Sequence, residues 1–319
     1  MNRSLLRRSL LILLSLLLFQ ACSKKEESKK LSVLVSPKGL EHSFWLTVKA
    51  GADSAGEEFN VDIIWRGPVR ETDVPTQISI LEDYLNKKVD AIVLAATDAK
   101  GIIPYVQKAV DAKIPVITID SGVESDLPLS FVATDNVAAA RRAAQALAEL
   151  IGDKGEVACI PFVPGAATSV MREQGFSDEI KNHPGIRLVA LQYSQSDVAT
   201  AMAVTEDILT AHHDLAGIFG ANEASALGIM QAIKNRGLAG KVKVVGFDAS
   251  DNEIQALRDG LVQALIVQDP FKMGYLGVKY AVDAVHGKAV PKRVDTGVYV
   301  VTNENLDSPE IQKLLHPFR

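Results

Sequence analysis

The sequence predicts an α/β protein built from two Rossmann-like lobes, each a parallel sheet covered by helices. Short β-branched runs alternate with helix-length amphipathic stretches along most of the chain, the pattern of a parallel sheet with crossover helices. Many runs are apolar throughout, as expected when helices cover both faces of a sheet. The length of 319 residues suits two lobes of about 100–150 residues each.

Each predicted strand is a short run rich in Val, Ile and Leu that is followed by polar or turn-forming residues. The predicted strands are 31–35, 61–65, 89–95, 116–119, 155–160, 187–192, 216–219, 242–247 and 262–267. The longer stretches between them carry apolar residues at helical spacing. The predicted helices are 44–59, 73–87, 99–112, 136–151, 168–182, 198–212, 223–236, 250–259 and 271–287.

A weak internal repeat relates the two halves of the chain. Residues 89–98 resemble 215–223, and residues 115–121 resemble 244–250, where each member of the second pair contains an aspartate just after a strand. These are Asp120 and Asp248. Ligands of open parallel sheets bind at the carboxyl ends of strands, so two such sheets facing each other predict a cleft between the lobes.

The repeat also suggests where the lobes begin and end. We expect an N-terminal lobe of residues 31–133 plus about 269–293. The C-terminal lobe is expected to hold residues 134–268 plus about 294–319, so that the tail returns to the first lobe and crosses again.

The first residues predict export and lipid anchoring. Three arginines precede an apolar run from Leu10 to Phe19, which is short for a membrane span and typical of a signal peptide. The run ends at a small residue followed by Cys22, which resembles a bacterial lipobox. We expect residues 1–21 to be the signal peptide and residues 22–30 to be a lipidated, flexible tether. An uncleaved anchor or an ordinary secretory signal is the alternative.

Composition and motifs exclude several classes of function. The formal charge of −5 argues against a nucleic-acid partner. The sequence contains no nucleophile elbow, Walker loop, dinucleotide fingerprint or zinc helix, and its six histidines are scattered, so neither enzyme activity nor a metal or other cofactor is expected. Besides Cys22 the chain has only Cys159, inside an apolar run, where a small buried side chain is expected rather than a catalytic thiol.

Several planar hydrogen-bonding side chains fall at strand ends and loop tips. These are Asp120, Arg172, Asn222, Asp248 and Gln268. Carboxylate, guanidinium and carboxamide groups match the paired donors and acceptors of vicinal sugar hydroxyls. Helix N-capping is the alternative role for the two aspartates.

An aromatic pair, Phe44 and Trp45, follows the loop after the first strand. A ring there is placed to stack on the C–H face of a sugar. Core packing at the start of the helix is the alternative for Trp45.

Four segments together resemble the periplasmic sugar-binding proteins of the ribose-binding type, relatives of lac-repressor effector domains. They are 135–139, 209–214, 222–228 and 244–248. The resemblance implies the periplasmic binding protein type I fold, with a multi-strand hinge that closes the lobes on a ligand. It places ligand contacts at Ser36, Phe44, Trp45, Asp120, Asn136, Arg172, Asn222, Asp248 and Gln268.

The chain departs from the ribose-type pattern at positions where that pattern surrounds the ligand. Ser121 stands where the pattern has an arginine, and Ser196 stands where an aromatic residue is expected. The loop 37–43 is about two residues longer, with His42 in place of a carboxamide. These changes indicate a monosaccharide other than ribose, a sugar alcohol or a cyclitol.

The resemblance implies an extracytoplasmic lipoprotein that delivers its ligand to the permease and ATPase of an ABC transporter. We expect a monomer, held at the membrane through the lipid on Cys22. A sensor subunit for a membrane kinase or chemoreceptor is the alternative. A transcription regulator would need a helix-turn-helix where this chain has its leader, and an enzyme on this scaffold would need a nucleophile–base pair.

Overall fold

The computed structural model describes residues 30–317. The chain divides into two units, Met1–Lys30 and Leu31–Arg319, and apart from Lys30 all described residues belong to the second. The predicted signal peptide, Cys22 and most of the predicted tether lie outside the described residues.

The described residues form twelve strands and ten helices. The strands are β1 Ser32–Ser36, β2 Asp62–Trp65, β3 Ala91–Leu94, β4 Val116–Ile119, β5 Ser130–Ala133, β6 Gly155–Ile160, β7 Ile186–Leu191, β8 Leu215–Gly220, β9 Lys243–Phe247, β10 Ala264–Val267, β11 Arg293–Asp295 and β12 Tyr299–Val301. The helices are α1 Ser43–Phe59, α2 Val74–Asn86, α3 Ile103–Asp111, α4 Asn136–Ile151, α5 Ala167–Ile180, α6 Val198–Ala211, α7 Glu223–Asn235, α8 Asp251–Arg258, α9 Pro270–Val285 and α10 Pro309–Leu315.

The strands form two six-stranded sheets with matching order. Sheet 1 has the order β11-β5-β4-β3-β1-β2, and sheet 2 has the order β12-β10-β9-β8-β6-β7. All pairings are parallel except that of β10 with β12. The matching orders give β3 and β4 the same places in sheet 1 that β8 and β9 have in sheet 2, in agreement with the internal repeat.

The chain passes between the two sheets at three places. In the first, β5 of sheet 1 leads into α4, which packs on sheet 2. In the second, β10 of sheet 2 leads into α9, which packs on sheet 1. In the third, β11 of sheet 1 leads directly into β12 of sheet 2. Hydrogen bonds tie the first and third passages together, including Arg293 Nη2 to the carbonyl of Thr134 at 3.0 Å. These passages fall near the expected lobe boundaries, and the assignment of whole lobes stays a prediction.

Helices cover both faces of each sheet, as the apolar strands predict. Two separate apolar cores flank the strands of sheet 1, and two more flank those of sheet 2. α9 lies against α1 at very short range, because a Cβ at Gly274 would meet the carbonyl oxygen of Val48 at 1.9 Å. Glycine is therefore required where this helix returns to sheet 1.

The predicted strands and helices agree closely with the structure. One helix starts later than predicted, and four elements were not predicted. α3 begins at Ile103 rather than at 99 because the Asp98 carboxylate accepts hydrogen bonds from the backbone N–H groups of Lys100 and Gly101, which forms a turn instead. β5, β11, β12 and α10 were not predicted. The three strands have three or four residues each, too few for a periodic signal.

Candidate ligand-binding site

A buried cleft lies where the carboxyl ends of strands from both sheets meet. From sheet 1 it receives residues that follow β1, β2 and β4, and from sheet 2 residues that follow β6, β8, β9 and β10. The lining residues are Lys38, His42, Phe44, Trp45, Glu71, Asp120, Phe162, Arg172, Asn222, Glu223, Asp248 and Gln268. The free space between these side chains is small.

Asp120 and Asp248 hold equivalent places after β4 and β9 and share an unusual backbone. Their φ angles are 52° and 83°, in the left-handed region that costs energy for any residue other than glycine. Neither caps the helix that follows it, because the N-cap of α8 is Ser250 and β4 leads to β5. The capping alternative for the following helices is therefore wrong, and both carboxylates face the cleft.

The Asp248 carboxylate is held from two sides. Its Oδ1 accepts from Nε2 of Gln268 at 2.8 Å and its Oδ2 accepts from the backbone N–H of Glu223 at 3.2 Å. Burial raises the pKa of Asp248 to about 6 and Glu223 adds to this, although the Arg172 charge and the Gln268 hydrogen bond oppose it. Gln268 keeps its own Oε1 without a hydrogen-bond partner among the described residues.

Arg172 enters the cleft from the second turn of α5 and is only 2% exposed. Nε donates to Oδ1 of Asn136 and Nη1 donates to the carbonyl of Ala221, both at 2.8 Å. The guanidinium carbon lies 3.6 Å from the centre of the Phe247 ring. Burial lowers the pKa of Arg172, and the nearby carboxylates, Asp248 first, oppose that shift. The guanidinium is thus fixed in place.

Aromatic rings from both sheets face the cleft. Trp45 is 1% exposed, packs in the core beneath sheet 1 and lines the cleft, so the two alternatives for this residue coexist. Phe44 meets it edge to face, with ring centres 4.9 Å apart and an interplanar angle of 88°. Phe162, after β6, faces the cleft from sheet 2.

Two of the expected contact residues lie just outside the cleft lining. Ser36 ends β1 with no exposed surface, and its Oγ receives only a long contact of 3.4 Å from Nε2 of Gln77. Asn136 lies behind Arg172 and positions its guanidinium. Asn222 lines the cleft and also caps α7 through the N–H of Ser225. Direct ligand contact by any of these residues stays a prediction.

Sequence reasoning missed four lining residues: Lys38, Glu71, Phe162 and Glu223. Each follows the carboxyl end of a strand directly or after a short loop, so position after a predicted strand was the available signal. Phe162 supplies the second-sheet ring that was expected at position 196. Lys38 supplies a cation beside Asp120, where position 121 lacks the arginine of the ribose-type pattern.

Glu71 joins the two sides of the cleft. Its Oε1 accepts from Nε1 of Trp45 at 2.9 Å and its Oε2 accepts from Oγ of Ser196 at 3.0 Å. Burial would raise the pKa of Glu71, but the charges of Lys38 and His42 and these two hydrogen bonds outweigh it, so the pKa lies below its usual value. Ser196 therefore replaces the expected ring with a polar bridge between the sheets.

Direct hydrogen bonds across the cleft hold the two sides together. The Glu223 carboxylate accepts from the backbone N–H groups of Ser43 and Phe44, each at 3.1 Å. Away from the cleft centre, the N–H of Ala99 donates to the carbonyl of Gly165 at 3.2 Å. The structure therefore shows the closed arrangement of the cleft.

Within residues 30–317 there is no group of three or more His, Cys, Asp or Glu side chains that could hold a metal ion. Cys159 is fully buried in β6, as expected, and burial raises the pKa of its thiol well above the usual value, which disfavours the thiolate needed by a nucleophile. In the same part of the chain no helix is long and apolar enough to cross a membrane.

The chain matches a known family. The model of the periplasmic binding protein domain matches residues 33–289. The chain belongs to the periplasmic binding protein family. The predicted family and the predicted type I fold are confirmed by this match and by the solved structures below.

Three similar proteins illustrate the family. A D-ribose/D-allose-binding protein of Pseudomonas aeruginosa is 30% identical over 313 residues, covering 93% of this chain and 98% of its own. A carbohydrate transporter solute binding protein from Agrobacterium radiobacter, solved with D-arabinose, is 36% identical with a TM-score of 0.87, covering 90% of this chain and 99% of that one. An ABC transporter solute binding protein from Agrobacterium vitis, solved with D-fucose, is 40% identical with a TM-score of 0.86, covering 88% and 98%.

Proposed function

We propose that this periplasmic binding protein is an extracytoplasmic sugar receptor that captures a monosaccharide or related polyol in the cleft and delivers it to an ABC transporter permease. The observation that carries the proposal is the convergence of fixed donors, fixed acceptors and aromatic rings from both sheets on one small buried volume. Sugar hydroxyls both donate and accept, whereas carboxylates only accept and guanidinium only donates. A cleft with both kinds of group can satisfy a neutral polyol.

The relatives support the ligand class. The proteins described above bind D-ribose and D-allose, D-arabinose, and D-fucose according to their names, and all are binding proteins rather than enzymes. The small cleft volume favours one sugar ring over an oligosaccharide.

Capture works through closure of the cleft. A ligand that touches Asp120 on one side and Arg172 and Asp248 on the other gains all its contacts only when the two sides are close together. Its binding free energy therefore favours the closed form, and the permease would recognise that form.

Thermal unfolding of the purified protein against a panel of sugars tests the proposal. D-Arabinose, D-fucose, D-ribose, D-allose, common hexoses, alditols and inositols are added singly, and a ligand at a hundredfold excess over its Kd stabilises the fold by about 2.7 kcal/mol. Arg172→Ala and Asp248→Ala should abolish the response. Arg258→Ala and Asp307→Ala, which break an exposed ion pair, are the matched controls and should keep it. Absence of a shift across the panel would refute the sugar proposal.

We also propose that the lipid on Cys22 holds the protein at the membrane. Cys22→Ser should release the protein from the membrane fraction, and Cys159→Ala, which changes the other cysteine, should leave it bound. Mass spectrometry of the mature N-terminal peptide checks for the acyl chains directly. An unmodified Cys22 would refute the anchor and leave the sugar proposal intact.

A further inference from the structure

Lys38 is a buried lysine at the centre of the cleft. It belongs to the loop after β1, and its side chain is only 4% exposed. Nζ lies 3.1 Å from Oδ2 of Asp120 and 3.0 Å from Oγ1 of Thr168. Burial of an ammonium group is costly unless it is paired and hydrogen-bonded, so these two contacts explain how the fold tolerates the charge there.

The two polar contacts of Lys38 come from opposite sides of the cleft. Asp120 follows β4 of sheet 1, whereas Thr168 lies in the first turn of α5, beside sheet 2. Lys38 therefore spans the cleft, in the volume that a ligand touching both sides must approach.

Aromatic rings border the same ammonium group. Nζ lies 5.8 Å from the centre of the Trp45 ring and 5.2 Å from that of the Phe162 ring, and both distances allow a cation–π attraction. These rings come from different sheets. The ammonium is thus directed to the space between the aromatic walls rather than to solvent.

Hydrogen-bond capacity then limits what can lie next to Lys38. An ammonium has three donors and no acceptor. Thr168 accepts from one of them, whereas Asp120 pairs with the ammonium by charge at 3.1 Å without a hydrogen bond. A ligand atom facing one of the other donors must be an acceptor, and in a sugar that atom is an oxygen. A carbon without oxygen at that position would leave a buried charged donor unsatisfied, which costs more than the hydrogen bond itself contributes.

We propose that Lys38 determines specificity by requiring an oxygen on one particular ring position of the ligand. The proposal rests on the proposed sugar function and deepens it. Oδ2 of Asp120 lies 3.1 Å from Nζ and has no hydrogen-bond partner among the described residues, so the pair recognises two neighbouring ligand oxygens, one donating and one accepting. Sugars deoxygenated at the position facing Lys38 are excluded from the ligand class.

The test combines a ligand series with a variant series. Calorimetric titration of D-arabinose, D-fucose, D-ribose and D-allose into the wild type identifies a sugar that binds. That sugar and its singly deoxygenated analogues are then titrated into the wild type, Lys38→Met and Lys87→Met. Lys87 is the matched control, since it also pairs with a carboxylate, Asp83, and lies 4.6 Å from the centre of a ring, that of Tyr84, but is exposed on α2's C-terminal side.

We expect Lys38→Met to weaken binding of the parent sugar by about 10- to 100-fold, the loss of one hydrogen bond to a charged group. One analogue should bind the wild type more weakly by a similar factor, while the parent sugar and that analogue should bind Lys38→Met equally. Lys87→Met should match the wild type. If Lys38→Met leaves Asp120 uncompensated and does not fold, the double variant Lys38→Met with Asp120→Asn removes both charges and serves for the same comparison of parent and analogue.

The outcomes separate this proposal from the sugar function. A wild type that binds sugar and a Lys38→Met variant of equal affinity would overturn the role of Lys38 alone. A variant that loses the same factor for the parent and every analogue would also overturn it, because a purely structural role acts on all ligands alike. No binding of any sugar by the wild type would overturn both proposals.

Discussion

The Glu223 carboxylate caps α1 from the opposite side of the cleft, a contact that we call the latch. Removing it should weaken binding of every ligand. α1 begins at Ser43 without a side-chain cap of its own, because His42 at the N-cap position makes no capping hydrogen bond. The Glu223 carboxylate fills that role from the first residue of α7, accepting from the N–H groups of Ser43 and Phe44 at 3.1 Å each. Opening the cleft breaks both bonds, so the capping energy belongs to the closed form alone.

The magnitude follows from known capping energies. Loss of an N-cap costs about 0.5–2 kcal/mol, and a carboxylate at a helix N-terminus contributes a further 0.3–1 kcal/mol or so. Part of this is offset because Glu223, at 6% exposed, is desolvated on closure. A net loss of about 1.5 kcal/mol from the closed form predicts a Kd about tenfold higher for Glu223→Ala. Glu223→Gln keeps one acceptor oxygen, so its Kd should lie between those of the wild type and Glu223→Ala.

Calorimetric titration and small-angle scattering check the latch. The factor of about ten should be the same for every sugar that binds, since the latch acts on closure and not on the sugar, and scattering should show more of the open form at low ligand. Glu82→Gln on α2, whose carboxylate makes an exposed ion pair with Lys108, is the control. Unchanged affinity in Glu223→Ala would refute the latch, and so would a loss confined to one sugar, which would indicate direct contact.

Three further predictions concern pH, packing and ligand charge. The pKa of Asp248 is raised to about 6 from 3.8, so between these values the unliganded fold binds more protons than the unfolded chain. Asp248 should therefore lower the stability of the fold by about 1 kcal/mol from pH 5 to pH 7. Urea titrations of Asp248→Asn should show a smaller decrease over this range, with the remainder from the buried Glu253, whose pKa burial also raises. Gly274→Ala should lower the free energy of unfolding by about 2–4 kcal/mol through its contact with Val48, whereas Gly101→Ala, which faces only the Asp98 side chain, should cost less than about 1 kcal/mol. Four carboxylates and two fixed cations line the cleft, so the uronic acid of a bound sugar should bind at least about a hundredfold more weakly in calorimetry.

Most of the fold followed from hydrophobic patterning, because both sheets are buried and their central strands are continuous apolar runs. The strands that escaped prediction lie near or at the sheet edges. β11 and β12 have three residues each, and they exist because the chain must cross between the sheets there. Their pairing is fixed by partners distant in sequence, such as β5 for β11, which local propensity does not encode.

The candidate site was predictable where a side chain directly follows a predicted strand, as for Asp120, Asp248 and Gln268. Lys38 and Glu71 were not predicted to line the site, because a charged residue in a polar loop is usually exposed to solvent. Only the meeting of the two sheets buries them. Ser196 illustrates the same limit, since sequence comparison marked a missing ring there without revealing that Ser196 would bridge to Glu71 or that Phe162 would supply the ring.

The left-handed backbone at Asp120 and Asp248 indicates that these two equivalent positions of the repeat serve the cleft rather than the packing of the sheets. A strand end can turn without a positive φ, and glycine would adopt φ angles of 52° and 83° at lower cost. An aspartate there costs stability twice, through backbone strain and, at Asp248, through burial of charge. Neither cost is offset by capping the next helix. What the conformation does provide is a carboxylate directed into the cleft from each sheet, which is what a two-sided receptor needs to make ligand binding depend on closure.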